Sequence, residues 1–422
     1  MRRILVLVVV LFLFCIGWYV HKHPSDYGIS RLYADQTYHF EALRVLNHTP
    51  VVGGDPNEVL QTIPNVKAGD AEGWYNAWTA AGDRLVALAQ TTKDPISKGR
   101  ALLRAHNYYR SSDFFLLPDD SRRPGAWKKN VDTFYQGLDL LHVQYERITV
   151  PYGNSHLDAD YYPGPAGSEN KPLILVVTGY DGTRQEMYFS IIAAAHERGY
   201  NVLVFDGPGQ GSALRDRGLT MIPEWEKPTG AVLDTFLASH AKPVNIVYLG
   251  QSLGGYLAPR AAAFDSRING VASQDVFFDG GEVVEHKTGP LIKWLMANNH
   301  YGIISFLLKL QRDPGEKWDH ENGMWVFGVK HPWDVSTVLK QYTLAPVASR
   351  ITGDVLILVG EDDQFITPDQ GEKYKASLTG ARSVTMIVFD KASGGAEHCQ
   401  IGAPSLWQAA FFDWVAQKFP PK

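Results

Sequence analysis

A serine between two glycines is the first feature of this sequence that could do chemistry. The pentapeptide Gly250-Gln251-Ser252-Leu253-Gly254 follows an apolar run and precedes a helical pattern. Small residues on both sides allow the sharp strand-to-helix turn that lifts a serine hydroxyl above a sheet. Such a hydroxyl attacks a carbonyl carbon once a base removes its proton. The pattern also fits a glycine-rich turn whose serine is only hydrogen-bonded, so the partners of Ser252 decide between these interpretations.

An acid and a base follow Ser252 in the order that a serine nucleophile requires. A strand candidate turns at Gly360 and three acids come next; the third, Asp363, fits a G-x-x-D loop. Asp362 is the alternative acid. A solvated acidic loop without a catalytic role is the other interpretation of this segment. His398 is the only histidine beyond Asp363 and lies in a glycine-rich loop. We therefore predict a triad in which His398 is the base and Asp363 orients it.

Catalysis of this kind also needs two backbone N–H groups that bind the developing oxyanion. The residue after the nucleophile, Leu253, supplies one in this arrangement. The loop that follows the strand candidate LILVV contains the sequence TGYDGT, and Tyr180 in this loop is the predicted second donor. An ordinary glycine-containing turn is the alternative interpretation of TGYDGT.

Several other classes of function are disfavoured by the sequence. The run FDGPGQGSA resembles a dinucleotide-binding loop, but Ser212 stands where the third glycine belongs and Pro208 removes an amide donor. The 14 histidines show no zinc-ligand spacing, and two cysteines cannot build a disulfide scaffold. A net charge of −5 gives no indication of nucleic-acid binding. We therefore predict no cofactor, no metal and no nucleic-acid partner.

The elements that must position these residues fall into two zones. Residues 30–141 show helical periodicity and predict an all-helical domain without a catalytic constellation of its own. Residues 142–422 alternate apolar runs with helical patterns, which predicts an α/β fold with a mostly parallel central sheet flanked by helices. Residues 280–350 separate two strand candidates and predict inserted lid helices. The strand candidates are Val143–Val150, Leu173–Val177, Val202–Phe205, Val244–Leu249, Gly270–Val276, Val355–Val359 and Val384–Phe389.

The amino terminus carries a separate signal. An apolar run from Ile4 to Val20 follows Arg2 and Arg3. Its 17 residues are at the short end of what spans a bilayer, and no small-x-small cleavage site follows it. Residues 1–24 therefore predict an uncleaved signal anchor with a single transmembrane segment. The positive charges before the run place the remaining chain on the extracytoplasmic side, periplasmic or lumenal. Cleavage of the segment would instead give a secreted protein.

Four sequence segments resemble a known family. They are FDGPGQG, GQSLGG, GEDDQFITP and GAEHCQ, and the helical zone adds EGWYNAW and RALLRAHNYYRSSDFF. Together they are similar to α/β-hydrolases of the 2,6-dihydropseudooxynicotine hydrolase type. This group includes fungal polyketide-shortening hydrolases and fermentation–respiration switch proteins. The resemblance covers most of residues 60–420. It implies an α/β-hydrolase domain and a helical domain that enclose a site between them, and proteins that are often homodimers.

The resemblance also implies a reaction. Members of the group cleave esters, amides or the C–C bond of 1,3-diketone-like compounds, and their triad falls on Ser252, Asp363 and His398. Some relatives use an extra acid after the sixth strand. Glu282 is the nearest candidate for this auxiliary acid, with Asp279 and Glu285 as rivals.

The leading hypothesis is therefore a serine hydrolase that acts on a small carbonyl substrate. A serine peptidase of the acylaminoacyl or dipeptidyl type is an alternative, although these enzymes usually carry a β-propeller and no blade-length repeat occurs here. A non-catalytic pseudo-hydrolase that binds a ligand or regulates a partner is the second alternative. Cys399, next to His398, is expected to be a small buried side chain rather than a reactive thiol.

Overall fold

Helices form the first part of the chain. The computed structural model describes residues 31–310 and 314–421. The predicted anchor in residues 1–24 lies outside these ranges, and within them no helix has the length and apolar character to cross a bilayer. The helices before the sheet are α1 Gln36–Asn47, α2 Pro56–Thr62, α3 Ala71–Thr91, α4 Pro95–Ser112 and α5 Arg123–Leu140.

Aspartate caps define where three of these helices begin. The side chains of Asp35, Asp70 and Asp94 accept hydrogen bonds from backbone N–H groups in the first turns of α1, α3 and α4. Along α3, Trp74 and Trp78 are fully buried against the neighbouring helices. The helical zone therefore has its own aromatic core.

A single sheet of eight strands organises the rest of the described chain. Its spatial order is β1-β2-β4-β3-β5-β6-β7-β8. The pairs β1–β2 and β2–β4 are antiparallel, and the remaining neighbours are parallel. The strands are β1 Glu146–Tyr152, β2 Ser155–Tyr162, β3 Leu173–Val177, β4 Val202–Asp206, β5 Ile246–Gln251, β6 Gly270–Gln274, β7 Asp354–Gly360 and β8 Ser383–Phe389. Strand β2 was not among the sequence predictions.

Helices cover both faces of this sheet. Leu173, Leu175 and Val177 of β3 point into one hydrophobic core. Ile174 and Val176 of the same strand point into the core on the opposite face. All five residues are buried, as expected for a parallel strand with helices on either side. The helices around the sheet are α6 Ala193–Glu197, α7 Gly211–Arg215, α8 Glu226–Ser239, α9 Gly254–Ala262, α15 Pro368–Ser377 and α16 Pro404–Lys418.

The connection from β6 to β7 contains the inserted helices. Trp318 of this insertion donates its indole N–H to the carbonyl of Phe114 at 2.7 Å and stacks on the Phe114 ring. The insertion therefore contacts the amino-terminal helical part as well as the sheet. Its described helices are α10 Gly280–Lys287, α11 Pro290–Ala297, α12 Tyr301–Leu310, α13 Pro314–Phe327 and α14 Pro332–Leu339.

Candidate active site

Ser252 occupies a sharp turn between β5 and α9. Its φ of 58° is in the left-handed region, which a non-glycine residue rarely adopts. The Ser252 N–H donates to the carbonyl of Gln274 on the adjacent strand at 2.9 Å, which helps to hold the turn. A Cβ at position 250 would lie 1.9 Å from the carbonyl oxygen of Gly254, so only glycine fits there. The local sequence thus accounts for the position of the hydroxyl, on a residue that is only partly buried.

The structure brings Ser252, Asp363 and His398 together. The Ser252 Oγ lies 2.8 Å from Nε2 of His398, and Nδ1 of His398 lies 2.6 Å from Oδ2 of Asp363. The other Asp363 oxygen, Oδ1, accepts from the backbone N–H groups of Phe365 and Ile366 at 2.7 and 2.9 Å. These two bonds fix the orientation of the carboxylate. A continuous hydrogen-bond chain therefore runs from a backbone-anchored acid to the serine hydroxyl.

The pKa of His398 reflects this environment. Burial alone would lower the pKa of the imidazole, but the negative charge and the hydrogen bond of Asp363, together with Cys399, outweigh burial and raise the pKa well above its ordinary value. Phe365 and Phe40 lie beside the ring, with centroid distances of 5.0 and 6.1 Å. Because Phe40 belongs to α1, the amino-terminal helical part contributes directly to the surroundings of the histidine.

A fourth residue, Asp275, joins the group and was not predicted as a site residue. It follows β6, is 1% exposed and has a φ of 58°. Its Oδ2 accepts from the N–H of Cys399 and lies 3.7 Å from Nδ1 of His398, while its Oδ1 accepts from the N–H of Gly360 at 3.0 Å. Burial, and then the charge of Asp363, raise the pKa of Asp275 to about 7. An acid at the carboxyl end of a buried strand is the sequence signal that could have identified it.

The structure does not bring the predicted auxiliary acids to His398. Glu282 lies in the first turn of α10, where its Oε2 accepts from Gln370 at 2.9 Å and pairs with the exposed Lys373 at 2.7 Å. Asp279 caps the same helix. Glu285 pairs with Lys293 on the surface. Helix α10 and its cap engage these acids with other partners, and Asp275 is the acid that lies beside the histidine.

The loops of the two predicted oxyanion donors, Leu253 and Tyr180, pass close to each other. Leu253 directly precedes α9, where backbone N–H groups have no partner within the helix. A Cβ at Gly179 would lie 3.0 Å from the Leu253 nitrogen and 2.8 Å from the Ser252 Cβ, so the loop that carries Tyr180 passes next to the serine. The Tyr180 hydroxyl donates to the carbonyl of Asp319 on α13 at 3.0 Å. The loop is therefore tied to the lid.

The glycine-rich segment FDGPGQG has a structural role in this arrangement. The Gln210 amide donates to the carbonyls of Thr178 and Gly179 at 2.6 and 2.9 Å. Its side chain is 1% exposed. The segment therefore holds the loop before Tyr180.

Comparisons with known proteins show the family to which this fold belongs. Residues 173–404 match the model described as "Alpha/beta hydrolase family". Hydrolase acrC of Aspergillus aculeatus is 34% identical over 423 residues, covering 93% of this chain and 99% of acrC. The chain belongs to the α/β-hydrolase family. 20-hydroxy-prefusarin hydrolase FUS2 of Gibberella moniliformis is 32% identical and covers 93% of this chain and 99% of FUS2.

Solved structures support the fold of this α/β-hydrolase along most of its length. The 2,6-dihydroxy-pseudo-oxynicotine hydrolase superposes with a TM-score of 0.65 at 20% identity, covering 89% of this chain and 96% of that chain. AbyA5 superposes with a TM-score of 0.63 at 17% identity and covers 85% of this chain. These findings confirm the predicted family and its combination of a hydrolase fold with an amino-terminal helical region.

A buried ionic cluster joins the helical part of this α/β-hydrolase to the loop after Tyr180. Arg44 of α1 pairs with Asp181 and Glu186 of that loop, each at 2.6 Å. Arg44 also pairs with Glu41 at 3.2 Å. Burial alone would raise the pKa of Glu186, but Arg44 and then Arg110 outweigh burial and hold that pKa well below its usual range. The helical part thus clamps the loop that presents the Tyr180 amide.

A cavity of about 560 Å³ opens where α5, α7 and α13 meet. The guanidinium groups of Arg123 and Arg215 lie 4.5 and 5.6 Å from the ring centre of Trp325 in its wall. The same three residues line a smaller cavity that reaches Tyr180 and Trp318. Space between the helical part, the lid and the sheet therefore extends toward the predicted oxyanion loop of this hydrolase.

The donor atoms that could bind a metal are engaged within the protein. In the described residues, one group of three suitable side chains lies close enough together, Asp275, His398 and Cys399. Both ring nitrogens of His398 contact triad partners. The Asp275 carboxylate accepts backbone hydrogen bonds. Burial is the main reason that the pKa of the half-buried Cys399 thiol is raised, which disfavours the thiolate that binds metals.

Proposed function

We propose that this α/β-hydrolase is a serine hydrolase that uses Ser252, His398 and Asp363 to cleave a small carbonyl substrate. The observation that carries the proposal is the hydrogen-bond chain of 2.8 and 2.6 Å from the serine hydroxyl through the imidazole to the carboxylate. A serine that is hydrogen-bonded to an oriented base meets the geometric requirement for nucleophilic catalysis.

The reaction begins when Ser252 Oγ attacks the carbonyl carbon and its proton passes to Nε2 of His398. The carbonyl oxygen becomes an oxyanion, which the N–H groups of Leu253 and Tyr180 stabilise. Asp363 keeps the imidazole oriented and stabilises its charged form. When the tetrahedral intermediate collapses, the leaving group takes the proton from His398 and an acyl-serine remains. Water then attacks this ester, with His398 as base, and releases the acid.

Esters, amides and the C–C bond of a 1,3-diketone all fit this sequence of steps. In the diketone case the leaving group is an enolate carbon, which His398 protonates. The relative FUS2 is a 20-hydroxy-prefusarin hydrolase, and because its match covers 93% of this chain, it supports a small-molecule substrate here. The space between the helical part and the lid, with tryptophan in its wall, supports the same class.

Fluorophosphonate labelling tests the nucleophile directly, because the probe reacts only with an activated serine. We expect wild-type protein to be labelled and Ser252→Ala to be unlabelled. The kcat for short nitrophenyl esters should fall by about 10⁴-fold or more in this variant. Ser239→Ala is the matched control, since Ser239 is an exposed residue at the end of α8. Wild-type labelling of Ser252→Ala would exclude Ser252 as the nucleophile and favour a non-catalytic binding role for this site.

A further inference from the structure

Arg123, the first residue of α5, is a buried cation without a carboxylate partner. It is 6% exposed and lines the cavity of about 560 Å³. Its Nη1 donates to the carbonyl of Leu116, and within residues 31–310 and 314–421 it forms no ion pair. A buried charge without an opposite charge beside it is costly to keep away from water. The guanidinium of Arg123 therefore marks a place where this cavity can hold an anion.

The other cationic side chains of the cavity wall do not share this property. In the described part of the chain, four of them form ion pairs with acids, namely Lys128, Arg184, Arg215 and Arg217. The fifth, Arg147, is exposed to solvent. Asp216, an exposed acid of the same wall, accepts the indole N–H of Trp127 at 3.0 Å. Arg123 thus differs from its neighbours in being both buried and unpaired.

The charges that act on Arg123 leave one positive charge uncompensated. They belong to Arg215, Asp113 and Asp120. Asp113 already pairs with Arg215. Asp120 already pairs with Arg122. Burial, and then the positive charge of Arg215, lower the pKa of Arg123 to about 10, which leaves the guanidinium charged at neutral pH. A singly charged anion would balance this site.

Trp325 of α13 restricts the orientation of the guanidinium. The Cζ atom of Arg123 lies 4.5 Å from the centre of the Trp325 ring, and that of Arg215 lies 5.6 Å from it. A guanidinium held against an aromatic ring keeps its N–H groups in one plane, where they match the two oxygens of a carboxylate. The amino-terminal end of α5 also favours negative charge at this position. The chemistry of the site therefore suits a carboxylate better than a doubly charged phosphate.

The same side chains connect the cavity with the predicted oxyanion loop. Arg123, Arg215 and Trp325 also line the smaller cavity, whose wall includes Tyr180 and Asp181. A ligand whose carboxylate binds Arg123 can therefore extend toward the Tyr180 loop. Pocket walls of this kind combine apolar surface with a few polar groups that fix the orientation of a ligand. Trp127 and Val131 supply apolar surface beside Arg123.

We propose that Arg123 binds a carboxylate of the substrate, so that this hydrolase acts on carbonyl compounds with a carboxylate remote from the bond that is cleaved. This inference rests on the proposed function, because it treats the cavity and Ser252 as parts of one substrate site. The carboxylate anchors one end of the molecule, and the carbonyl at the other end reaches the serine and the oxyanion donors. Arg123 determines specificity and takes no part in bond cleavage.

Turnover of matched esters tests this proposal. The substrates are mono-p-nitrophenyl esters of linear dicarboxylic acids, from adipic to sebacic acid, and the same esters with the free carboxylate capped as a methyl ester. At the best chain length we expect the wild type to prefer the uncapped ester by about 10- to 100-fold in kcat/KM, because capping removes charge-assisted hydrogen bonds. Arg123→Gln should abolish this preference and leave turnover of the capped ester unchanged. Arg147→Gln is the matched control, since it removes a cation from the same wall and should keep the preference.

Calorimetric binding distinguishes failure of this proposal from failure of the proposed function. The probe is monomethyl suberate, and the protein is the full-length Ser252→Ala variant, which does not cleave it. We expect binding that an added Arg123→Gln removes and an added Arg147→Gln keeps. This result without any ester turnover by the wild type would contradict the proposed hydrolase and support the carboxylate site. Turnover of capped and uncapped esters at the same rate by an active wild type would overturn the carboxylate site alone.

Two further results would overturn the proposal. Unchanged binding of monomethyl suberate in Arg123→Gln would place the carboxylate elsewhere. Binding of inorganic phosphate that depends on Arg123, together with no preference between the esters, would assign the site to a free anion instead of the substrate. Circular dichroism shows whether Arg123→Gln is folded. If it is not, Arg123→Lys keeps the buried charge and loses the planar pair of donors, and an undiminished ester preference in this variant would contradict the proposed contact.

Discussion

Asp275 and Asp363 present their carboxylates to the same ring nitrogen of His398. Nδ1 lies 2.6 Å from Oδ2 of Asp363 and 3.7 Å from Oδ2 of Asp275. Only the first distance is a hydrogen bond. Asp275 instead accepts from the backbone of Gly360 and Cys399, and so connects β7 to the histidine loop. Two acids from different strands therefore share one base, with Asp363 orienting the ring and Asp275 holding its loop.

Replacing Asp363 by asparagine should remove the orientation of the imidazole. We expect Asp363→Asn to lower kcat by about 10⁴-fold, because the amide favours the wrong tautomer of His398. Asp362→Asn is the control, since Asp362 pairs with the partly exposed Lys391 at 2.9 Å and should leave kcat unchanged. Steady-state kinetics on one nitrophenyl ester measures both. Wild-type turnover by Asp363→Asn would transfer the orienting role to Asp275.

The pH dependence of kcat/KM should show the influence of Asp275, the second acid near His398. His398 must be neutral to act as base, and its raised pKa places the acidic limb of kcat/KM at higher pH than an ordinary imidazole would. Asp275 is ionised above its pKa of about 7, and its charge favours the protonated imidazole. Asp275→Asn should therefore shift the acidic limb to lower pH. The pH profile distinguishes this effect from a loss of loop structure, which would lower activity at every pH without moving the limb.

Gly179→Ala should obstruct the predicted oxyanion hole. The added methyl would lie 2.8 Å from the Ser252 Cβ and 3.0 Å from the Leu253 nitrogen, closer than ordinary contacts allow. We expect kcat to fall by about 10²- to 10³-fold, comparable to the loss of one oxyanion donor. Gly230→Ala is the matched control, because a Cβ there meets no atom within 4 Å. Unchanged kcat in Gly179→Ala would place the oxyanion elsewhere.

Arg44→Gln should disturb the active site from the helical part. The variant removes the main partner that holds the pKa of the buried Glu186 low and leaves only the more distant Arg110, which costs about 3 kcal/mol of unfolding free energy. Because Asp181 follows Tyr180 directly, displacement of the loop should lower kcat by about 10- to 100-fold with little change in KM. Urea unfolding and steady-state kinetics measure the two effects.

Arg104→Gln provides the control for Arg44. Both arginine side chains are 12% exposed, but Arg104 pairs with Glu58 and Asp55 inside the helical part. The Arg104→Gln variant should have a lower free energy of unfolding without a specific loss of kcat. Equal kcat in the two variants would contradict a link between Arg44 and the oxyanion loop.

The strands that precede Ser252 and Asp363 could be predicted from the sequence because an apolar run is a local property of the chain. Ser252 and Asp363 follow runs of buried apolar residues, and the order of serine, acid and histidine needs no knowledge of contacts. Strand β2 escaped prediction because charged residues interrupt it. One of them, Asp160, is 0% exposed, and its Oδ2 accepts hydrogen bonds from Tyr135 and Arg184 elsewhere in the chain. Such compensation is invisible in a one-dimensional pattern.

The position of Asp275 at the end of a buried strand was visible in the sequence, but its contact with the loop of His398 was not. The acid fell inside a predicted strand, where its burial and its contact with the loop of His398 depend on residues more than a hundred positions away. Glu282 was favoured by its position after the same strand, yet α10 directs it to Lys373. Sequence distance from a strand end thus does not determine which acid faces the base.

The pairing of Arg44 with Asp181 and Glu186 limits how the helical part can be exchanged between related proteins. The arginine and the two acids lie on separate parts of the chain, and the buried Glu186 is costly to leave charged without a cation. If the helical part were exchanged for that of a relative that lacks a cation at this position, Asp181 and Glu186 would remain in the Tyr180 loop without Arg44 as their partner. The helical part is therefore not an interchangeable cap, and recombination must transfer both sides of the ionic cluster as one unit.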